Sequence, residues 1–270
     1  MCMKDRFKVI ISDLDGTLLN SDHQISEQTK TVFKKLHDQN YLIIIATGRH
    51  HLDAIPLLEK LGCPFYLVTS NGARIHSPTR ELIYSFDIKS ESIKSILDLD
   101  IHHDFTTVLF KEHLWVTNQE DKRLNSFQVE MHYPYEIVDY SLLEDFSAIK
   151  IFFTHDDHLK LVELKDKIMK DHSDEFHYAF SLPFCLEFMD KSVDKSVAIS
   201  KILEIENFSF EQSIAFGDGF NDERMLLSAG KALIMENAVE NFKNKLSHLE
   251  VISASHQDGV ANYLSEILLS

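Results

Sequence analysis

The sequence has little cysteine, few basic residues and no long apolar run. Its three cysteines, Cys2, Cys63 and Cys185, have no CxxC spacing, so neither a disulfide framework nor a zinc knuckle is predicted. A sparse and odd number of cysteines is typical of proteins from a reducing compartment. We therefore expect the chain to fold without covalent cross-links.

Basic residues are outnumbered, because 27 Lys and Arg stand against 43 Asp and Glu and give a net charge of −16 at pH 7. Binding to a nucleic acid requires clustered Lys and Arg against the phosphates, so this composition argues against a nucleic-acid partner. The same negative charge repels anionic membrane surfaces. We therefore expect neither a nucleic acid nor a membrane as a partner.

The strongest apolar run covers residues 41–46, far short of the roughly 20 residues needed to span a bilayer. The N-terminal segment also lacks the apolar stretch of about 7–15 residues that marks a secretory signal. With 270 residues, of which 44% are hydrophobic and 26% charged, the chain has the composition of an ordinary globular protein. We expect a cytoplasmic protein whose core domain carries an insertion.

Strand-like and helix-like segments alternate at both ends of the chain. The predicted strands of these two halves are apolar runs at residues 7–12, 41–46, 65–68, 213–216, 232–235 and 251–252. The predicted helices between and after them are residues 26–39, 51–61, 195–206, 221–229, 239–246 and 259–269. Alternation of this kind indicates βαβ units, so we predict an α/β fold with a doubly wound parallel sheet.

Between the two halves, the texture changes to strand pairs with fewer helices. The predicted strands here are residues 105–110, 113–117, 148–153 and 175–180, and a helix is predicted at 158–169. Strands that outnumber helices favour an antiparallel α+β arrangement. We therefore predict a core domain made of residues 1–85 and 184–270, with an inserted domain at residues 86–183.

Two aspartates follow the first predicted strand, in the sequence Asp13-Leu14-Asp15-Gly16-Thr17. Residues i and i+2 of a strand face the same side, so both carboxylates can point into one site. Open α/β sheets bind ligands beyond the carboxyl ends of their strands. The two charges would repel each other unless a cation lay between them or one carboxyl stayed protonated. The alternative is a structural turn, in which Asp15 caps the next helix and Gly16 supplies a positive φ.

Two further strand ends carry polar residues. Thr47, Gly48 and Arg49 follow the second strand with a hydroxyl, a flexible backbone N–H and a guanidinium, which together suit phosphate binding at a helix N-terminus. Residues 217–222, Gly-Asp-Gly-Phe-Asn-Asp, lack the third glycine of a dinucleotide fingerprint but offer the carboxylate oxygens that Mg²⁺ prefers. Lys195, at the start of a predicted helix, is by itself indistinguishable from a solvated surface lysine.

Taken together, these segments strongly resemble the haloacid dehalogenase (HAD) superfamily of phosphohydrolases. Its four motifs are matched in order by residues 13–18, Thr47, Lys195 and residues 217–222. Other segments resemble the Cof-type subclass with a type IIB cap, namely Ser70-Asn71-Gly72-Ala73, Cys185-Leu186-Glu187, Ile234-Met235-Glu236-Asn237-Ala238 and Asp258-Gly259-Val260-Ala261. Residues 49–51 and 69–76 resemble bacterial sugar-phosphate and pyridoxal-phosphate phosphatases. The resemblance implies a HAD-like core with residues 86–183 as an α+β (type IIB) cap domain.

The resemblance implies phosphoryl transfer from a small phosphorylated metabolite through an aspartyl-phosphate. Asp13 would be the nucleophile, and Asp15 would act first as the general acid and then as the base. Mg²⁺ would be held by the side chains of Asp13 and Asp218 and by the backbone carbonyl of Asp15. Asp222 would orient Lys195. The residues assigned to the phosphate or the rest of the substrate are Leu14, Thr47, Gly48, Arg49, Lys195 and Asn221.

Two residues depart from the family's pattern. Ser196 stands where a glycine usually follows the lysine of motif three, and Glu236 stands where a glycine is common after Met235. These departures bear on rate and substrate preference and not on the type of reaction, because neither removes a catalytic group.

Two alternatives to a Mg²⁺-dependent phosphatase remain open. A phosphomutase of the same superfamily could return the phosphoryl group to its substrate with the same aspartates. A non-catalytic phosphate-binding protein is the second, although the nucleophile, the acid, the lysine and the metal ligand are all present together. The sequence does not separate sugar phosphates from pyridoxal phosphate as substrates, and it leaves the oligomeric state open.

Overall fold

The structure, a computed structural model, describes residues 3–99, 101–124 and 135–270. Its strands, in chain order, are β1 Val9–Asp13, β2 Leu42–Ala46, β3 Tyr66–Thr69, β4 Arg74–His76, β5 Leu82–Ser85, β6 Thr106–Phe110, β7 Trp115–Thr117, β8 Tyr135–Ile137, β9 Lys150–Thr154, β10 Phe176–Leu182, β11 Cys185–Asp190, β12 Ser213–Gly217, β13 Lys231–Met235 and β14 Glu250–Ile252. Its helices are α1 Met3–Arg6, α2 Glu27–Asp38, α3 His51–Leu58, α4 Ser90–Leu97, α5 His158–His172, α6 Lys195–Ile205, α7 Glu223–Ser228, α8 Glu240–Lys245 and α9 Gly259–Leu264.

The chain divides into two compact units. Unit 1 comprises Met1–Ser85 and Asp194–Ser270, and unit 2 comprises Phe86–Val193. The boundary predicted after residue 183 is corrected to residue 193, because β11 pairs with β9 and β10 of unit 2 and not with any strand of the parallel sheet. The role of unit 2 as a cap stays a prediction.

Unit 1 is built on one eight-stranded sheet in the order β14-β13-β12-β1-β2-β3-β4-β5. The six strands from β14 to β3 are parallel, which confirms the predicted doubly wound α/β fold. The strands β4 and β5 were not predicted from the sequence, and they extend the sheet as an antiparallel edge. The carboxyl ends of β1, β2 and β12 consequently lie side by side near the middle of the sheet.

Helices cover both faces of this sheet, so its central strands are buried on both sides. In β1, the Ile10 side chain joins one apolar cluster with residues of α2 and α9, whereas Val9 and Ile11 join a second cluster with residues of α6 and α7. Successive residues of a strand point to opposite faces, which explains why β1 and β2 are apolar at nearly every position. Ser26 caps the N-terminus of α2, since its hydroxyl accepts a hydrogen bond from the Thr29 N–H at 3.0 Å.

Unit 2 contains a six-stranded sheet in the order β10-β11-β9-β6-β7-β8, in which all pairs except β7 with β8 are antiparallel. The helices α4 and α5 pack their apolar side chains against one face of this sheet. The α+β character predicted for the insertion is therefore present. Within the described residues, no helix is long and apolar enough to cross a membrane. Cys63 and Cys185 are free, and Cys2 lies outside the described residues.

Candidate active site

The candidate site lies where three parallel strands of unit 1 end. Asp13 is the last residue of β1, Ala46 ends β2 directly before Thr47, and Gly217 ends β12 directly before Asp218. The register aligns Asp13 with Ala46 on one side of β1 and Ser12 with Phe216 on the other. Parallel strands in register therefore bring these polar residues, which are far apart in the sequence, to one edge of the sheet.

Lys195 joins two carboxylates of the candidate site. It is the first residue of α6, and its side chain is completely buried. Its Nζ donates hydrogen bonds to Asp13 Oδ1 at 2.5 Å and to Asp222 Oδ1 at 2.7 Å. The predicted partnership of Asp222 with Lys195 is thus present in the structure. Lys195 is a buried cation held between two buried carboxylates, and not a surface lysine.

Asp222 also organises the turn that carries Asp218. Its second oxygen, Oδ2, accepts hydrogen bonds from the N–H groups of Asp218 and Gly219, both at 3.0 Å. A side chain at Gly217 would meet the Asp222 carboxylate at less than 3 Å, so a glycine is needed where the strand enters this turn. The turn after β12 is therefore fixed from within by Asp222, which in turn is fixed by Lys195.

Asp218 faces the loop that follows β1. The Thr17 hydroxyl donates a hydrogen bond to Asp218 Oδ1 at 3.1 Å. Gly16 has a positive φ of 70°, and a Cβ atom there would overlap the Asp218 carboxylate. Gly16 thus fills two needs at once, a left-handed backbone and close approach of a carboxylate. The sequence leaves open whether this loop is part of a ligand site or only a structural turn. The structure brings Asp13 and Asp218 together beside the loop.

The charges of this site are unbalanced. Burial raises the pKa of the Asp13 carboxyl well above its ordinary value, and the negative charge of Asp222 raises it further, while Lys195 opposes both. Burial and the Asp222 charge raise the pKa of Asp218 to about 6. Burial lowers the pKa of Lys195, but the charges of Asp13 and Asp222 outweigh burial, so the pKa lies above its ordinary value. Three carboxylates face one lysine, and a second cation would relieve the remaining repulsion.

The donor set fits a hard divalent cation. Asp13, Asp218 and Asp222 each present a carboxylate oxygen, and these oxygens lie within 4.8 Å of one another. Oxygen ligands of this kind suit Mg²⁺, which keeps several waters and takes one or two carboxylates from the protein. Because Asp222 already binds Lys195 and two backbone N–H groups, Asp13 and Asp218 are the carboxylates with capacity for the ion.

We expect Gly16→Ala to weaken the binding of Mn²⁺ or Mg²⁺ by at least about tenfold, or about 1.4 kcal/mol. The added methyl group would displace the Asp218 carboxylate. Titration of Mn²⁺ followed by electron paramagnetic resonance measures this affinity. Gly62→Ala is a matched control, because Gly62 also has a positive φ (74°) but a Cβ there meets nothing within 4 Å. Equal affinities in the two variants would show that the close approach of Gly16 to Asp218 does not shape the ion site.

The predicted phosphate-binding loop after β2 is tied to a residue that the sequence analysis assigned no role. Asn71 adopts a left-handed conformation, its N–H donates to the Thr47 carbonyl at 3.0 Å, and its Oδ1 accepts from Asn221 Nδ2 at 3.0 Å. A Cβ at Gly48 would lie 3.1 Å from Asn71 Oδ1. Asn71 therefore connects the loop of Thr47 and Gly48 with the turn of Asn221. The sequence feature that could have identified Asn71 is its position. Residues 70–72 directly follow β3, which is a fourth strand end on the same sheet.

Arg49 and Asp15, which the sequence analysis assigned to different tasks, form one ion pair. Arg49 Nε donates to Asp15 Oδ1 and Oδ2 at 3.0 and 2.8 Å, and Arg49 Nη2 donates to Asp15 Oδ1 at 2.7 Å. Leu14, between the two aspartates of the motif, has its side chain buried in the core, and its carbonyl accepts the N–H groups of Leu18 and Leu19. The structure thus brings all the predicted site residues to one region of unit 1.

The two departures from the family's pattern lie at the margin of the site. The Ser196 N–H and hydroxyl both donate to Asp194 Oδ1, so Ser196 contributes to the cap of α6. The Glu236 side chain is exposed, and its N–H donates to the Ile252 carbonyl at 2.8 Å. Neither residue replaces a member of the network around Lys195.

Comparison with known proteins gives consistent matches over nearly the whole chain. The model of the haloacid dehalogenase-like hydrolase family matches residues 10–264. An HMP-PP phosphatase of Cronobacter sakazakii is 33% identical over 256 residues, which cover 95% of this chain and 94% of that protein. A crystal structure from Thermotoga maritima has a TM-score of 0.83 and 26% identity and covers 97% of each chain. A HAD subclass IIB sugar phosphatase has a TM-score of 0.75 and 22% identity, with 96% of this chain and 98% of that chain covered.

Proposed function

Because the chain belongs to the haloacid dehalogenase-like hydrolase family and is a phosphatase of that family, we propose that it is a Mg²⁺-dependent enzyme acting through an aspartyl-phosphate on Asp13. The observation that carries this proposal is the buried network in which Lys195 bridges Asp13 and Asp222 beside Asp218. A nucleophilic carboxylate needs neighbouring positive charge to stay ionised, and this network supplies one cation and room for another.

The proposed reaction has two steps. An oxygen of Asp13 attacks phosphorus in line, the bond from phosphorus to the leaving oxygen breaks, and Asp15 gives a proton to that oxygen. Asp15 then takes a proton from water as the water attacks the aspartyl-phosphate, which releases inorganic phosphate and restores Asp13. The phosphate oxygens, and the charge that develops on them, would be bound and stabilised by the Leu14 N–H, Thr47, Gly48, Lys195 and Asn221.

Mg²⁺ is the proposed cofactor, held by Asp13, Asp218 and the Asp15 backbone carbonyl. When bound, the ion neutralises charge on the transferring phosphoryl group. The raised pKa of Asp218 supports the assignment, since a carboxyl that is costly to ionise alone is stabilised by a cation. The protein's own part is to hold both carboxylates in place through Thr17 and through the turn fixed by Asp222.

We expect the affinity for Mg²⁺ to fall about tenfold between pH 7 and pH 5. A pKa of about 6 means that Asp218 is protonated below that pH, so a proton must leave before the ion binds. Above about pH 7 the carboxylate is already ionised, and the affinity should level off. Isothermal titration calorimetry with Mg²⁺ at a series of pH values measures this dependence. An affinity that stays constant from pH 5 to 7 would contradict the assignment of Asp218.

The proposed substrates are small phosphorylated metabolites, with sugar phosphates and pyridoxal phosphate as the first candidates. The relative from C. sakazakii is named an HMP-PP phosphatase, so HMP-PP joins the group to be tested. We propose that unit 2 is the cap that selects among these substrates. The low cysteine content and the acidic composition support a cytoplasmic location.

Release of inorganic phosphate from these metabolites, with Mg²⁺ and with EDTA, tests the proposed function. A phosphatase releases phosphate without forming an isomer of the substrate, whereas a phosphomutase forms the isomer. A non-catalytic binding protein would release phosphate from none of them, including p-nitrophenyl phosphate. Ranking the metabolites by kcat/KM then identifies the preferred substrate. Absence of Mg²⁺-dependent phosphate release from every ester would overturn the proposal.

A further inference from the structure

The ion pair between Arg49 and Asp15 joins two loops of the candidate site. Three hydrogen bonds of 2.7–3.0 Å connect the guanidinium to both oxygens of the carboxylate. Arg49 follows β2 and Asp15 follows β1, so the pair crosses between neighbouring strand ends. Of the two side chains, 21% of Arg49 and 39% of Asp15 are exposed.

Fold stability alone does not account for this pair. An exposed or half-exposed ion pair contributes little to the free energy of unfolding, because water screens the charges and the long side chain loses freedom. What a two-point guanidinium contact adds is geometry, since it fixes the plane and the direction of the carboxylate. A half-exposed carboxylate held by one contact only could turn about its side-chain bonds.

The backbone of Arg49 is itself held from both sides. Its N–H donates to the Thr47 hydroxyl at 3.0 Å, and its carbonyl accepts the Ser70 N–H at 2.8 Å. The guanidinium is therefore presented from a fixed point, next to the proposed phosphate-binding residues Thr47 and Gly48. A rigid support of this kind is what a precisely aimed catalytic group requires.

We propose that Arg49 is a positioning residue, which holds the Asp15 carboxyl group aimed at the leaving oxygen of the substrate. This inference rests on the proposed function, because it assigns Arg49 a task in the proton transfer that Asp15 carries out. It differs from the expectation that Arg49 binds the substrate by direct contact. Arg49 acts through Asp15. In the first step its effect is confined to substrates whose leaving group needs a proton, whereas the second step, in which Asp15 is the base, is common to all substrates.

Positioning of Asp15 and direct contact with the substrate predict a different dependence of the rate on the leaving group. An alkyl phosphate such as glycerol 1-phosphate leaves as an alcohol and needs the proton from Asp15. In contrast, p-nitrophenyl phosphate leaves as a stable phenolate and needs little help from an acid. General acid catalysis contributes about 10²- to 10⁴-fold to a rate, so loss of aim should be visible for the alkyl ester.

The test compares kcat and KM for both esters in the wild type, Arg49→Gln and Arg49→Lys. For Arg49→Gln we expect kcat/KM, which covers the steps up to departure of the leaving group, to fall at least tenfold with glycerol 1-phosphate and less than threefold with p-nitrophenyl phosphate. Lysine offers a cation without the two-point contact, so Arg49→Lys should lie between the wild type and Arg49→Gln. Far-ultraviolet circular dichroism of each variant checks that it is folded.

Arg224→Gln is the matched control, because Arg224 is an exposed arginine of unit 1 whose guanidinium lies 3.4 Å from Asp194 and does not contact Asp15 in the described network. It removes the same charge and should leave the ratio of the two kcat/KM values unchanged. An equal loss of kcat/KM for both esters in Arg49→Gln, a loss that lies in KM alone, or no change would overturn the inference about Arg49. A wild type that hydrolyses neither ester would instead overturn the proposed function, so the two failures are distinguishable.

Discussion

Asp13→Asn is expected to lower phosphate release by at least about 1,000-fold, which corresponds to about 4 kcal/mol of activation free energy. Asparagine has nearly the size of aspartate and keeps an oxygen that can accept the hydrogen bond from Lys195. Its neutral amide is a poor nucleophile toward phosphorus, so the aspartyl-phosphate cannot form. The rate of phosphate release from p-nitrophenyl phosphate and from the preferred metabolite, at saturating Mg²⁺, measures the effect.

The fold of this variant should be intact, because the substitution removes a buried charge and no volume. Far-ultraviolet circular dichroism checks this point. Asp22→Asn makes the same chemical change at an exposed position outside the site and should keep wild-type activity. If Asp13→Asn kept even a tenth of the wild-type kcat, a loss of only about 1.4 kcal/mol, Asp13 would not be the nucleophile.

Lys195→Met is expected to lower the free energy of unfolding of unit 1 by about 3–5 kcal/mol. Methionine fills much of the same volume but leaves Asp13 and Asp222 facing each other, buried, without the cation between them. Removing one partner of a buried ion pair costs far more than the pair contributes, because the remaining charges have neither water nor a counter-ion. Catalysis should be lost as well, since Lys195 opposes the charge of the nucleophile.

Urea unfolding followed by far-ultraviolet circular dichroism measures this loss. The single tryptophan, Trp115, lies in unit 2, so its fluorescence follows that unit separately. Lys34→Met is the control, as Lys34 is exposed on α2 and should cost little. Adding Asp222→Asn to Lys195→Met removes one of the two stranded charges and should recover part of the loss. A loss below 1 kcal/mol in Lys195→Met would contradict the role of the buried network.

The core of the fold could be predicted from the sequence because its signal is local. The run at residues 41–46 is apolar at every position, which is what burial on both faces of a parallel sheet requires, and β2 is such a strand. The short strands β4 and β5 carry no comparable signal. Leu82, Ile83 and Tyr84 of β5 are apolar, but the run is short and all four residues of the strand are exposed, so only pairing with β4 makes it a strand.

The boundary between the units depends on pairing rather than on pattern. Residues 185–190 include four apolar residues, and the change in texture along the sequence placed them in the core domain. Their hydrogen bonds go to β9 and β10, which assigns them to unit 2. A strand's own sequence does not state which neighbours it will have, because register and partner are set by the surrounding sheet.

The membership of the site could be predicted better than its connections. Asp13, Asp218 and Lys195 were identified from motifs, yet nothing local to Lys195 indicated that its side chain would be completely buried. The contact of Arg49 with Asp15 was not predicted. Arg49 had been assigned to substrate binding and Asp15 to proton transfer. Such pairs form where loops at neighbouring strand ends meet. Two residues that are 34 positions apart produce no periodic pattern in the sequence from which their contact could be predicted.

The position of β1 in the sheet has a consequence for how the chain folds. One neighbour of β1 is β2, close in sequence, but the other is β12, which is made only after the whole of unit 2. Contacts of such long range make folding slow, because the chain loses loop-closure entropy before the strand pairing contributes any favourable free energy. That entropy grows only logarithmically with loop length, by about 0.6 kcal/mol for each doubling. The junctions at residues 85 and 193 can therefore accept inserted units of very different size at little cost to the equilibrium stability of the sheet.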